Sequence, residues 1–289
     1  MNPRYPIYIP SRRRAESRLT VKALERMGVP YRVVIEEDDY EDYAKVIDPA
    51  HILVLDPQYQ HDYEKCDDLG MTKPAGAGAV RNFIWDHSLA EGHERHWTMD
   101  DNIRQFSRFQ NNLIIRLDSG VGFRAMEDFV DRYDNVAMAG PQYEMFVPRK
   151  TLVPPFVANT RIYSCNLIKN NIPFRWRGRY NEDTILSLDI LKAGWCTIQF
   201  NAFLQLKMTT QLMSGGNTDV LYKDGTTEKS AMLVREHPDV SKMVMRFGRV
   251  HHHCNYNVFK SNRLIKKKDC VVPQGTNEYG MKLKKVHKC

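Results

Sequence analysis

An α/β fold, a mostly parallel sheet with helices on both faces, is what this sequence predicts, and three observations predict it. Strand-length apolar segments alternate with segments whose apolar residues recur at helical spacing, as when crossover helices join parallel strands. The chain has 289 residues and 42% hydrophobic side chains, enough for a sizeable core in one large domain. No internal repeat or low-complexity linker divides it, so residues 1–240 are expected to form one compact body and residues 241–289 a C-terminal extension.

Arg4 to Pro10 reads as the first strand and Ser11-Arg12-Arg13-Arg14 as the polar turn after it. Leu19, Ala23 and Leu24 set a helical stripe between Ala15 and Met27, and Gly28 stops it. A strand over 31–35 runs into the acids Glu36 to Asp39, followed by a short helix over 39–47 and a strand over 51–55. Past an irregular polar stretch, Gly76-Ala77-Gly78 opens a helix over 79–90 with Val80, Phe83, Ile84 and His87 on one face. Trp97 to Met99 is a short buried strand, 122–133 a helix, 136–139 a strand and the proline-rich stretch 141–155 a loop. One or two strands lie within 156–168. Asn181 is expected to cap a helix running to Ala193 and Gly194, with a strand from Trp195 to Phe200 behind it. Beyond Gly215-Gly216 the signals weaken to a helix over 226–236 and an extended stretch over 244–253.

The stretch that organises the chemistry is His96-Trp97-Thr98-Met99-Asp100-Asp101-Asn102. A buried strand that stops at two adjacent carboxylates sets them at the carboxyl end of an α/β sheet, where ligands bind. Neighbouring carboxylates repel, and a hard divalent cation is the usual compensation; an acidic turn with no ligand is the plainer alternative. Ser11 with Arg12 to Arg14 places a hydroxyl, cations and a helix start at the same sheet edge, suited to phosphate. Arg81 and Asn82 lie in the first turns of the glycine-led helix, where Arg81 can brace a phosphate or orient the acid pair. Asn181-Glu182-Asp183 opens a later helix. Acids there satisfy free N–H groups, and one that faces the crevice is equally placed as a general base. In the extended run His251-His252-His253-Cys254, alternate residues share a side, so one imidazole can complete an oxygen-rich metal site, whereas the run alone lacks the ligands for zinc.

Charge is unevenly spread. From Lys242 to Cys289 twelve Lys and Arg face only Asp269 and Glu278, so this segment carries +10 and the rest of the +7 chain −3. A basic end on a near-neutral body fits a polyanion, nucleic acid first, with Phe247, Tyr256 and Phe259 available to stack on bases or to join a core. The six cysteines have no Cys-x-x-Cys spacing and suit reduced thiols. No apolar run approaches the roughly 18 residues of a membrane span, and no signal-like h-region stands near Arg4, so a cytoplasmic setting without a membrane is expected. Oligomeric state is not legible.

In order, YIPSRRRAESR, GAGAVRNFIWDHS, HWTMDDN, NEDTILSLDILKAGW and RFGRVHHHCNY resemble a nucleotide-sugar glycosyltransferase with the GT-A fold, over about residues 4 to 260. Together with FLQLKMTTQLMSGGN, the chain is most similar to the TET/JBP-associated glycosyltransferases of phages, which act on 5-hydroxymethylpyrimidines in DNA. One departure is Asn102, where the usual Asp-x-Asp motif has an acid. The resemblance implies a uridine-diphosphate sugar held near Pro10, Ser11 and Arg12, with Arg81 assisting. It implies Mn²⁺ or Mg²⁺ on Asp101 and Asp100, with His252 or His253 as a further ligand and Asp100 otherwise turned to ribose. Asp183, with Glu182 as the second choice, would be the base of an inverting transfer to a DNA hydroxymethyl group. The same fold with a protein or polysaccharide acceptor, a non-catalytic nucleic-acid-binding module and a nucleotidyltransferase stay open beside it.

Overall fold

A computed structural model of the chain describes residues 1–208, 227–246, 248–272 and 274–277. The central sheet starts at β1 (Ile7–Pro10) rather than at Arg4. Pro6 has no N–H to give a ladder, and the amides of Arg4 and Tyr5 bond instead to the buried Glu127 carboxylate at 2.7 and 3.2 Å. β1 lies parallel to β2 (Arg32–Ile35) and to β4 (Arg95–Met99), and β3 (Ile52–Val54) extends the edge beyond β2. β9 (Cys165–Lys169) pairs antiparallel with both β4 and β7 (Val136–Tyr143), so β7 keeps the direction of β1 to β4, and β10 (Cys196–Lys207) lies parallel beside it. Along its far edge β10 takes β8 (Phe156–Ala158) and then the hairpin of β5 (Ile103–Gln110) and β6 (Leu113–Arg116), giving the order β3-β2-β1-β4-β9-β7-β10-β5-β6.

The two faces separate residue by residue, as strand geometry requires. Ile7, Ile9, Val33 and Ile35 point into a core shared with α1 (Leu19–Arg26), α2 (Tyr40–Ala44) and α5 (Val121–Val130). Tyr8 and Val34 point the other way, to α3 (Gln58–Asp62) and α4 (Gly78–Ala90). Further along that second face, Trp85 of α4 packs with Met138, Ile168, and Leu186 and Ile190 of α6 (Glu182–Lys192). This is the mostly parallel, helix-covered α/β sheet that the alternation predicts.

Three local expectations change. The β5–β6 hairpin was not anticipated; its turn rests on Asn111 and Asn112 at φ 50° and 62°, the left-handed pair a two-residue hairpin needs. The proline-rich stretch begins as strand. β7 runs through Pro141 to Tyr143, which is tolerated because β9 pairs no further than Ala139. Asn181 precedes α6 but does not cap it through its side chain: it sits at φ 56°, and its Nδ2 donates to the Lys229 carbonyl at 2.6 Å.

Lys229 belongs to α7 (Thr227–Glu236), followed by an antiparallel pair, β11 (Ser241–Arg246) and β12 (Arg249–Cys254). Met232, Leu233, Val240, Cys254 and Phe259 form one apolar cluster with Ile185, Leu188 and Leu191 of α6. Asn262 Nδ2 donates to the carbonyls of Leu191 and Trp195 at 2.8 and 2.9 Å. The described part of the segment after residue 240 is therefore packed on the body. Gly215, Gly216, Phe247, Lys282, Lys284, Lys285 and Lys288 lie outside the described residues. Cys66, Cys165, Cys196, Cys254 and Cys270 are free thiols, and no described helix is long and apolar enough to cross a membrane.

Candidate active site

At the carboxyl ends of β1 and β4 lies a cleft of about 650 Å³, a volume suited to a small ligand. Its floor is the Asp100-Asp101 turn, which α1 holds from behind. Thr20 Oγ1 donates to the Asp100 carbonyl at 2.5 Å, and the Thr20 amide to the Asp101 carbonyl at 3.2 Å. The Asp100 amide in turn donates to the Ser164 carbonyl at 2.7 Å, which ties β4 to the segment entering β9.

The two carboxylates face different partners. Asp101 accepts from Ser11 Oγ at 2.7 Å and from the buried Arg14 guanidinium at 2.6 Å, and burial still pushes its carboxyl above the usual range. Asp100 accepts from Arg81 at 2.7 Å on one oxygen and from Lys207 Nζ at 2.5 Å on the other. Burial alone would raise the Asp100 carboxyl; Lys207 and Arg81 overcome it and hold it at about 2.

Arg81 is the hub. Its side chain is 1% exposed, stacks on the Trp176 ring at 4.7 Å, and reaches Asp100, Asp183 at 2.5 Å and Glu182 at 3.3 Å. Asp183 is fixed further by Asn166 Nδ2 at 3.1 Å and the Ser164 amide at 3.2 Å. Burial raises both carboxyls at the start of α6, Glu182 to about 6; Asp183 and Asp100 add to Glu182, and Asp100 adds to Asp183. Ser164 links these groups from an uncommon backbone: at φ 67° its N–H meets Asp183, and its Oγ meets Lys207 Nζ at 2.8 Å and the Tyr143 hydroxyl at 2.5 Å.

The glycines ahead of α4 approach protein rather than leave room for a ligand. A Cβ on Gly76, at φ 85°, would lie 2.5 Å from the Arg179 carbonyl, and one on Gly78 1.8 Å from the Tyr63 hydroxyl. Arg179 is buried against Asp67 and the carbonyls of Gly70, Lys73 and Pro74, so it orders the polar stretch that walls the cleft.

Of the residues singled out from sequence, Pro10, Ser11, Arg12, Asp100, Asp101, Glu182, Asp183 and His252 line this one cleft, with Arg81 buried behind them. Arg12 pairs with Glu36 at 3.1 Å at its rim. His253 does not line it; β12 turns His252 inward and His253 to the exposed side, opposite Lys242. Burial first, then Lys229 and Arg161, push the His252 imidazole down to about 4, so it is neutral at pH 7. Arg161, Lys207 and Lys229 also line the cleft and were not singled out. No local motif marks them: each comes from a different part of the chain and meets the others only in the fold.

The expected divalent cation fits this arrangement poorly. Both oxygens of Asp100 and both of Asp101 already meet a cation or a hydroxyl, and Asn102 places an amide where a third acid would stand, its Nδ2 donating to the Met208 carbonyl at 3.1 Å. Asp100, Asp101 and His252 do not come together as a ligand group. Among the described residues such a group is formed by Glu64, Cys66 and Glu236, outside the cleft lining, and there the Arg177 guanidinium already contacts all three.

The large, mostly parallel sheet flanked by helices is consistent with a Rossmann-like GT-A fold. The family model described as TET-Associated Glycosyltransferase matches residues 5–216, and the chain belongs to that family. Membership makes it a glycosyltransferase and supports a modified DNA base as acceptor. No curated protein matches it.

Proposed function

We propose that this protein transfers a sugar from a uridine-diphosphate sugar to the hydroxyl of a 5-hydroxymethylpyrimidine in DNA, with inversion at the anomeric carbon. The observation that carries the reading is the meeting, in one cleft of about 650 Å³, of a fixed carboxylate pair and a group of cations. Pro10, Ser11 and Arg12 line the end nearest β1 and are assigned to the nucleoside.

In the transfer, the acceptor oxygen attacks the anomeric carbon as the bond from that carbon to the diphosphate oxygen breaks. The bonding pair leaves with the diphosphate, and the hydroxyl proton goes to Asp183. Glu182 is the second candidate for that proton, and both share Arg81. A base in a duplex has to leave the stack to reach such a cleft. The exposed Lys242, Arg246 and Arg249 of the β11–β12 pair, which carries His252 into the cleft wall, are assigned to the DNA backbone.

The test is mass spectrometry of nucleosides from hydroxymethylated DNA incubated with the protein and a panel of uridine-diphosphate sugars, with Asp183→Asn alongside. A sugar-sized gain on the modified base, lost in the variant, is the expected result. Release of uridine diphosphate with no gain on DNA would move the acceptor to protein or polysaccharide, and an inverting Asp183 role fails if Asp183→Asn turns over at nearly the full rate.

A further inference from the structure

Resting on the donor assigned above, we propose that Arg161, Lys207 and Lys229 form the diphosphate-binding site, so that the chain's own cations, and not a divalent metal on Asp100 and Asp101, hold the leaving group. Lys207 closes β10, Arg161 precedes β9 and Lys229 lies in α7, yet all three line the same cleft beside His252.

Their grouping calls for an anion. Among the described residues no carboxylate lies within 4.0 Å of Arg161; its guanidinium sits 5.1 Å over the Tyr163 ring, and the groups that act on it are the Tyr163 and Tyr256 phenols and Cys254. Burial depresses the Lys229 ammonium, and Lys207 and Arg161 depress it further, against Glu182 and Asp183. The same two neighbours, Lys229 and Arg161, act on His252. Asp100 holds the charge of Lys207; like charges converging on one cleft repel, most plainly at Lys229, and a ligand with two or more negative charges relieves that repulsion. A diphosphate has the charge, and phosphate oxygens suit ammonium and guanidinium donors.

The acid pair takes the opposite part. Asp100 already spends both oxygens on Arg81 and Lys207, and Asp101 spends its own on Arg14 and Ser11. Asp100 thus holds Lys207 Nζ, at 2.5 Å, in the lining of the cleft. Developing charge on the leaving oxygen would be met by fixed cations that need no reorganisation.

Calorimetric titration of the full-length protein with uridine diphosphate, once in EDTA and once in Mn²⁺, tests this. The affinities are expected to agree within about twofold, inorganic diphosphate to compete, and Arg161→Ala and Lys229→Ala each to weaken binding about tenfold or more. Arg161→Lys is expected to recover part of the loss, which separates lost charge from a folding defect. Binding that Mn²⁺ strengthens about tenfold or more, with the gain erased by Asp101→Asn, overturns this site and leaves the donor standing. Unchanged binding in both alanine variants also overturns it. No binding by the folded protein in either condition overturns the site and the proposed donor together.

Discussion

Arg81 holds three carboxylates that would otherwise repel one another in a buried place. Arg81→Met removes the cation and leaves the acids, a change expected to cost about 3–5 kcal/mol in urea unfolding. Asp183→Asn keeps the shape and removes the proton acceptor, with an expected loss of about 10²–10⁴-fold in kcat at unchanged fold. A base must be ionised to act, and Glu182 is raised to about 6 by burial, with Asp183 adding to it. With Asp183 as the base, the acid limb of the kcat/KM profile should stay in place in Glu182→Gln; a limb near pH 6 that Glu182→Gln abolishes would make Glu182 the base instead. At this scale the sequence was informative wherever chemistry is packed into a local motif. Asp100, Asp101, Glu182 and Asp183 sit at the ends of elements whose periodicity is clear. Lys207 closes a strand with nothing around it to mark a site, and Lys229 lines the cleft from α7, where Asn181 Nδ2 holds its carbonyl at 2.6 Å. Arg14, one of three adjacent arginines, meets Asp101 at 2.6 Å, a partner far away in the sequence that no local motif marks.

Among the elements, α4 is positioned by contact rather than by propensity. Gly78 begins it against the Tyr63 hydroxyl, which donates to the Gly178 carbonyl at 2.8 Å inside a buried cluster. Gly78→Ala forces that contact apart and is expected to cost about 1–3 kcal/mol. Because Arg81 rides on the same first turn, transfer activity should fall as well; a variant with wild-type melting temperature and rate would show the contact to be slack. Helices and buried strands were legible from apolar spacing. The β5–β6 hairpin was not: its apolar residues alternate irregularly, and its one strong cue is the Asn111-Asn112 turn. Histidine spacing on β12 was read correctly to the extent that alternate residues share a side, but not for which side faces in, because that depends on the cluster that Cys254 joins with α6.

For the whole molecule, the segment after residue 240 is part of the fold's economy of contacts. A chain ending at residue 240 loses Cys254 and Phe259 from the α6 cluster and the Asn262 bonds to Leu191 and Trp195. It is expected to melt several degrees lower by circular dichroism, on the order of 2–4 °C for each kcal/mol lost; an unchanged melting curve would make the segment an appendage. DNA affinity should fall with salt, and Arg246→Ala with Arg249→Ala should lower the slope of log K against log salt by about one per phosphate contact removed. Net charge points to a polyanion from composition alone. That the basic segment also supplies a wall of the cleft depends on how β12 docks, which no count of charges carries.

Four residues in three elements share one charge balance: Arg81 on α4, Asp100 at the end of β4, Glu182 and Asp183 on α6. A neutral replacement at any one leaves the others unbalanced around the buried Arg81. Drift among related chains should therefore be correlated, the four positions changing as a set or staying fixed as a set. Such a lock narrows the single-step routes by which this site can be rebuilt, and it makes new acceptors easier to reach through the cleft's rim than through its floor.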